Sequence, residues 1–261
     1  MFDESGDFLY HYTPLETALE HILPRRQLRL NPFARMRDPR ESHMWGAGAS
    51  VPEPTPEDDE LFYELSEHVN LVKSTIKVLS MTHDDPNTRS PETRIFGRGF
   101  AHPRLWEHYA SNHRGFCLCL DKTSFINQIN KDLASAGQLE VGEVDYKDGA
   151  IAKEALHFNL DDVRGPGVRD AVAGHLAAHH RELFFKKAVD WQTEAEFRIV
   201  LRTDHSEPVY VSIGQALRYV VLGARVPAVY IPALSQLCSP IAATLLHIRW
   251  LNGSPDLYPV A

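Results

Sequence analysis

The chain predicts an α+β fold in a single domain, and three observations predict it. Stretches that alternate like strands and stretches with helical spacing follow one another irregularly, not in strict strand–helix repetition. Several neighbouring strands are joined by links too short for a parallel crossover. At 261 residues with 43% hydrophobic content, the chain is long enough for one substantial core.

The elements follow in order. Phe8–Tyr12 reads as a short strand. Thr13-Pro14-Leu15-Glu16 then carries a helix-start signature: Thr as cap, Pro at the first helical position, Glu three after the cap. Leu15, Ala18, Leu19, Ile22 and Leu23 give that helix an apolar face, Pro24 ends it, and Leu28 and Leu30 alternate in a second strand. Residues 51–60 (VPEPTPEDDE) read as a mobile, acidic, Pro-rich insert. A helix over roughly 61–77 precedes a strand at 78–82, with Ser80 and Thr82 on the face opposite Leu79 and Met81. Residues 84–99 are turn-rich, with Arg89, Arg94 and Arg98 scattered through them. Pro103 starts a short helix, 104–110, and a strand at 115–120 ends at Asp121, the cap of a helix that closes near Gly137. Another strand covers 139–146. A mostly helical insert, about 149–187, is broken by Arg164-Gly165-Pro166-Gly167. Strands at 197–202, 209–213 and 219–222, a helix-rich tail and a last strand near 246–251 complete the pattern.

Bulk properties exclude some functions. A formal net charge of -8 leaves no basic footprint of the kind a nucleic-acid coating protein carries, although Arg25, Arg26, Arg29, Arg35, Arg37 and Arg40 crowd one stretch. The three cysteines have no metal-site spacing, and Cys117 and Cys119 read as small buried residues on one side of a strand. The expectation is a cytoplasmic protein: no apolar run reaches membrane-spanning length, and Met1-Phe2-Asp3-Glu4 is no signal peptide.

Candidate chemistry gathers at two distant strand ends. His11-Tyr12-Thr13 closes the first strand, and Trp191-Gln192-Thr193-Glu194-Ala195-Glu196 opens a late one. In extended geometry Glu194 and Glu196 would point to the same side and present a carboxylate pair to a cleft. Such carboxylates suit a ribose hydroxyl or a developing oxocarbenium ion. The plainer reading is a solvated strand end with Glu196 paired to Arg198 or a lysine. Trp106 and Tyr109 share a helical face and would form a stacking wall, or equally a core-facing aromatic pair. His11 on its own is as readily a structural histidine. His175 and His179 are four apart, but no Glu follows His175, so no metal site is expected. The chain lacks a Gly-rich phosphate loop, a nucleophile elbow and a CxxC pair.

Several blocks together resemble a bacterial family, domain-of-unknown-function 2971. They are Leu9-Tyr10-His11-Tyr12-Thr13, Arg37-Asp38-Pro39-Arg40-Glu41, Leu105-Trp106-Glu107-His108-Tyr109-Ala110 with His113-Arg114-Gly115, and Lys187, Trp191, Glu194, Glu196 and Arg198 in Lys-x-x-x-Trp-x-x-Glu-x-Glu-x-Arg order. Arg37 stands where that pattern usually has Asn, and Leu105 where it has Met. More distantly, the order of motifs is similar to the ADP-ribosyltransferase superfamily. That resemblance implies a central mixed or mostly antiparallel split sheet flanked by helices, and NAD as substrate. It implies His11 and Thr13, with Tyr12, on the adenosine side, Glu196 at the nicotinamide ribose, and Glu194 orienting the acceptor. Trp106 or Tyr109 would be the stacking aromatic, and arginines near 35–40, Arg37 among them, and near 94–98 would be pyrophosphate donors. The acceptor would be RNA, DNA or protein, in a toxin or phage-defence effector with an antitoxin or regulatory partner and no membrane. The alternatives are an NAD glycohydrolase using the same site and a non-catalytic nucleotide-sensing or partner-binding module.

Overall fold

The computed structural model describes residues 2–3, 5–50, 56–86, 88, 94–164, 166–205 and 207–260. Among the described residues ten strands form one large sheet: β1 (Phe8–Thr13), β2 (Gln27–Pro32), β3 (Lys77–His83), β4 (Phe116–Asp121), β5 (Gln138–Glu143), β6 (Glu196–Arg202), β7 (Val209–Ser212), β8 (Leu217–Leu222), β9 (Thr244–Leu251) and β10 (Ser254–Pro259). The main path runs β7-β2-β3-β1-β4-β8-β9-β10, and β6 pairs with both β3 and β5. Pairing in this sheet is antiparallel except between β8 and β9, so the sheet is mixed and mostly antiparallel.

The sheet is split at β3. One side of β3 pairs along its length with β6, from Leu201↔Lys77 to Glu196↔Thr82. The other side is shared: β2 takes one end through Asn31↔Val78 and Pro32↔Lys77, and β1 takes the other through Leu9↔His83 and Tyr10↔Thr82. Residues 79–81 therefore have no strand on that side among the described residues. β1 turns away after Tyr10 to follow β4 as far as Thr13↔Phe116. The divergence of β1 and β2 opens a gap in the sheet.

Alternation along each strand assigns the faces. Leu9, Leu28, Leu30, Leu79, Met81, Phe197 and Ile199 face one core, covered by a first helical segment, α1 (residues 15–25), and by the helices Lys122–Leu133 and Ile231–Cys238. On the opposite face Tyr10, Tyr12 and Trp106 belong to a second core, and Phe33, Val78, Phe184 and Val200 to a third. That third core also takes the helix Pro56–Thr75, through Leu65 and Val69, and the helix Val168–Ala178, through Val172 and Leu176. The segment 149–187 thus packs on the sheet, with the short strand His157–Asn159 inside it.

Several local expectations are revised. α1 consists of Leu15–Thr17, a π-helical stretch Ala18–Ile22 and Leu23–Arg25, so the helix runs past Pro24. Leu23 N–H bonds the Ala18 carbonyl five residues back, a wider turn that accommodates the proline ring, and the helix stops at left-handed Arg26. Thr13 does not cap it; the cap position is Pro14, and Thr13 is the last residue of β1. Residues 51–55 of the acidic insert and Arg89 lie outside the described residues, while residues 56–60 begin the helix Pro56–Thr75. β10 was not expected. Its turn, Asn252-Gly253, has both residues at positive φ (51° and 82°), the geometry that an Asn-Gly hairpin favours.

Candidate functional site

A cavity of about 510 Å³ occupies the gap in the sheet, within the ~300–1,000 Å³ usual for small-molecule sites. β1 supplies Tyr10, His11, Tyr12 and Thr13, and β3 supplies Ser80 and Thr82. The segment after β2 supplies Arg35, Met36 and Arg37, and the helix Pro103–Tyr109 supplies Leu105, His108 and Tyr109. Lys187, Glu194 and Glu196 close the wall. The two distant strand ends, His11–Thr13 and Glu194–Glu196, therefore meet at one cavity. They do so because both flank the same unpaired stretch of β3.

His11 sits at the floor of the split. Its Nδ1 lies 3.4 Å from the Ser80 carbonyl oxygen, so Nδ1 carries the proton and Nε2 is left as an acceptor. Burial pushes its pKa down to about 4, because the imidazolium loses hydration there. The ring is neutral at physiological pH. Tyr12 donates its hydroxyl to the Gly99 carbonyl at 2.7 Å and meets Trp106 edge-on.

The carboxylates are not disposed as extended geometry would have them. Glu194 ends a 3-10 helix, Val189–Glu194, and Ala195 is left-handed (φ 42°), so β6 begins only at Glu196. What gathers the two is Lys187, whose Nζ lies 2.6 Å from Glu194 Oε2 and 3.1 Å from Glu196 Oε2. Glu196 is buried and grips Arg198 with both oxygens, Nε at 2.7 Å and Nη2 at 3.0 Å. Arg198 Nη2 also meets Glu41 Oε1 at 2.7 Å. Glu194 Oε1 accepts the Tyr109 hydroxyl at 2.5 Å. The result is a buried row in which charges alternate: Glu41, Arg198, Glu196, Lys187, Glu194.

The row explains the Lys-x-x-x-Trp-x-x-Glu-x-Glu-x-Arg motif physically, since the Trp191 ring also lies against Lys187, 4.7 Å from its Nζ. Burial alone would raise the Glu196 carboxyl, but Arg198 and Lys187 outweigh it and hold it at about 2. At Glu41 burial prevails over Arg198 and the pKa rises to about 7. Burial, then Glu194, raises the Tyr109 phenol, so it stays protonated and donates.

Of the residues expected at a site, His11, Tyr12, Thr13, Arg37, Tyr109, Glu194 and Glu196 line the cavity, and Trp106 does not. Trp106 is fully buried, donates Nε1 to the Phe100 carbonyl and stacks on His113, so it is a core residue behind Tyr12. Tyr109 faces the cavity with the Arg37 guanidinium over its ring at 4.7 Å. Of the expected anion donors, Arg35 and Arg37 are at the cavity, whereas Arg40 pairs with Glu182 and Arg98 with Asp84. The solvated strand end expected as the plainer reading of Glu196 is half right: it does pair with Arg198, but out of water.

Glu41, Ser80, Lys187 and Arg198 were not picked out as site residues. Arg198 was legible as the same-face neighbour of Glu196, two residues on in a strand. Glu41 closes the block Arg37-Asp38-Pro39-Arg40-Glu41, a turn with charged residues, but nothing local pairs it with Arg198; the Asp38 side chain there caps Arg40 N–H. His175 and His179 lie with rings 4.5 Å apart, and the described residues hold no cluster of three or more His, Cys, Asp or Glu able to hold a metal ion. Among the described residues no helix is long and apolar enough to cross a membrane.

Residues 105–199 match the model of a family described as a protein of unknown function, DUF2971. The matched span contains Tyr109, Lys187, Trp191, Glu194, Glu196 and Arg198, and stops short of the N-terminal blocks around His11 and Asp38. No curated protein and no solved structure matches the chain.

Proposed function

We propose that the protein is an NAD-dependent ADP-ribosyltransferase-like enzyme whose substrate occupies the cavity in the split sheet. One observation carries the reading: His11–Thr13 and a carboxylate pair converge on a single cavity that also holds two arginines and an aromatic ring. Arg35 and Arg37 offer charge-assisted donors to a pyrophosphate. His11 offers only an acceptor to the cavity, which suits a ribose hydroxyl. Cleavage breaks the bond between ribose C1′ and the nicotinamide nitrogen, and nicotinamide leaves neutral with the bonding pair. The acceptor then bonds to C1′ and gives its proton to solvent. A carboxylate near C1′ lowers the barrier by stabilising the cationic sugar.

Glu194 is better placed than Glu196 for that task. Both Glu196 oxygens are engaged by Arg198, one of them by Lys187 as well, whereas among the described residues Glu194 Oε1 accepts only the Tyr109 hydroxyl, which can rotate away. We assign Glu194 to the developing charge and Glu196 to holding Lys187 and Arg198. The saturation of Glu196 also favours a second reading, a nucleotide-binding module without catalysis. The class of acceptor and an effector role in toxicity or phage defence belong to the proposal.

Labelled NAD, incubated with RNA, DNA and protein acceptors, separates the readings. Nicotinamide release or label transfer that falls on the order of 100-fold in Glu194→Gln, with folding intact, is the expected result. NAD binding without release in any mixture would leave the binding module, and no binding would sink both.

A further inference from the structure

The buried row has an imbalance that the proposed chemistry does not use. Three carboxylates (Glu41, Glu196, Glu194) alternate with two cations (Arg198, Lys187), so an acid stands at each end. All five side chains are nearly removed from water, with exposures of 0–12%. One excess negative charge in such a place demands compensation. Lys73 and Arg37 flank the row without joining it, so within the row the compensation is a proton at the Glu41 end, sealed in the core, or a cation at the Glu194 end, which lines the cavity.

We propose that the two ends are linked, so that a cationic ring bound beside Glu194 expels a proton from Glu41, and the site prefers cationic to neutral ligands increasingly as pH rises. The proposal rests on the reading of this cavity as a nicotinamide site, since the nicotinamide ring of NAD carries a positive charge. The charged groups that act on Glu41 are Arg198 and Lys187, which favour its ionised form, and Glu196, which opposes it; Lys73 is a further cation within its electrostatic reach. At the other end Tyr109 donates to Glu194, and Arg37 lies over the Tyr109 ring. Glu41 holds its proton up to about pH 7, so the exchange falls in an accessible range. His11, near 4, does not titrate there.

The linkage has a defined size: affinity rises tenfold across the window for each unit by which the bound cation lowers the pKa of Glu41. The probe is 1-methylnicotinamide, a permanent pyridinium cation with no bond to cleave, and nicotinamide is its neutral counterpart. Calorimetry at pH 6 and pH 8, in two buffers of different ionisation enthalpy, reads affinity and proton release together. The expected result is binding of 1-methylnicotinamide about threefold or more tighter at pH 8 than at pH 6, with release of a fraction of a proton. Nicotinamide should show neither.

Glu41→Gln imitates the protonated end and keeps an acceptor for Arg198. It should still bind the cation, with the pH dependence and proton release abolished; Glu194→Gln should lose the preference for the cation. An unchanged pH dependence in Glu41→Gln would assign the titration to Lys73 and overturn the proposal, as would equal affinity for the two probes or binding of neither 1-methylnicotinamide nor tetramethylammonium. Tetramethylammonium binding with proton release, but no 1-methylnicotinamide binding, would uphold the row and overturn the nicotinamide reading. A failure of NAD turnover leaves all of these measurements readable.

Discussion

Arg198 has no exposed surface, and its guanidinium divides between Glu41 and Glu196 while Nη1 donates to the Phe184 carbonyl. Taking carboxylates and a guanidinium out of water is costly, and Arg198 offsets that cost by contacting the carboxyl groups of both Glu196 and Glu41. Arg198→Met strands both acids at once. We expect a loss of about 3–5 kcal/mol in denaturant unfolding, the range for breaking a buried pair; a loss below 1 kcal/mol would contradict this account. The row also fixes the pH dependence. Glu196 titrates near 2 in the folded state against 4.5 unperturbed, so its contribution is present above pH 4.5 and lost as pH falls toward 2. Glu41 is shifted the other way, to about 7, so its contribution is complete below pH 4.5 and lost as pH rises through 7. Glu41→Gln should therefore remove a fall in stability on the order of 3 kcal/mol between pH 4.5 and 7 and leave the acid limb in place, as read by chemical unfolding across pH. Little of this was legible in the sequence. Glu196 and Arg198 share a strand face by alternation, but Glu41 is 157 positions from Arg198, and only the third core brings the two together.

At the scale of elements, the turn after the helix Pro103–Tyr109 holds three successive non-glycine residues in the left-handed region: Ser111, Asn112 and His113 at φ 48°, 53° and 66°. Left-handed backbone costs such residues roughly 1–2 kcal/mol each, so the surroundings must impose it. They do so through Gly115, where an added Cβ would stand 2.2 Å from the Thr13 carbonyl oxygen at the end of β1. Gly115→Ala should accordingly disturb Thr13 and the cavity, not merely the turn. We expect destabilisation of about 1–3 kcal/mol and weakened ligand binding; full stability in thermal unfolding would show that the two backbone segments can part cheaply. Asn112→Gly should stabilise the fold by up to about 1 kcal/mol, because glycine adopts that conformation without the Cβ penalty. Element types were largely readable. The Asp121 cap stands as expected, its side chain accepting Ser124 N–H at 2.8 Å. The Thr13 cap fails because β1 pairing with β4 extends through Thr13 and claims its backbone for the sheet.

Over the whole molecule, the split at β3 is what turns a sheet into a container. The carbonyl of Ser80 points into the gap, toward His11, and in a strand the N–H of the same residue points to the same side. The Ser80 amide should exchange with solvent faster than that of Thr82, which pairs with Tyr10, and should be slowed by any ligand that fills the cavity. Site-resolved hydrogen exchange with and without NAD checks this, and equal protection of the two amides would mean that the gap is closed in solution. The sequence by itself determined the α+β class, most of the strands and helices, and the residue types at the two strand ends, because periodicity, caps and turn residues are local properties of the chain. Only the tertiary structure decided that those ends share a cavity, that Trp106 lies in the core while Tyr109 faces the opening, and that Glu194 and Glu196 differ in freedom. Those outcomes depend on which strands share an edge and which buried charges find partners, contacts between residues far apart in sequence.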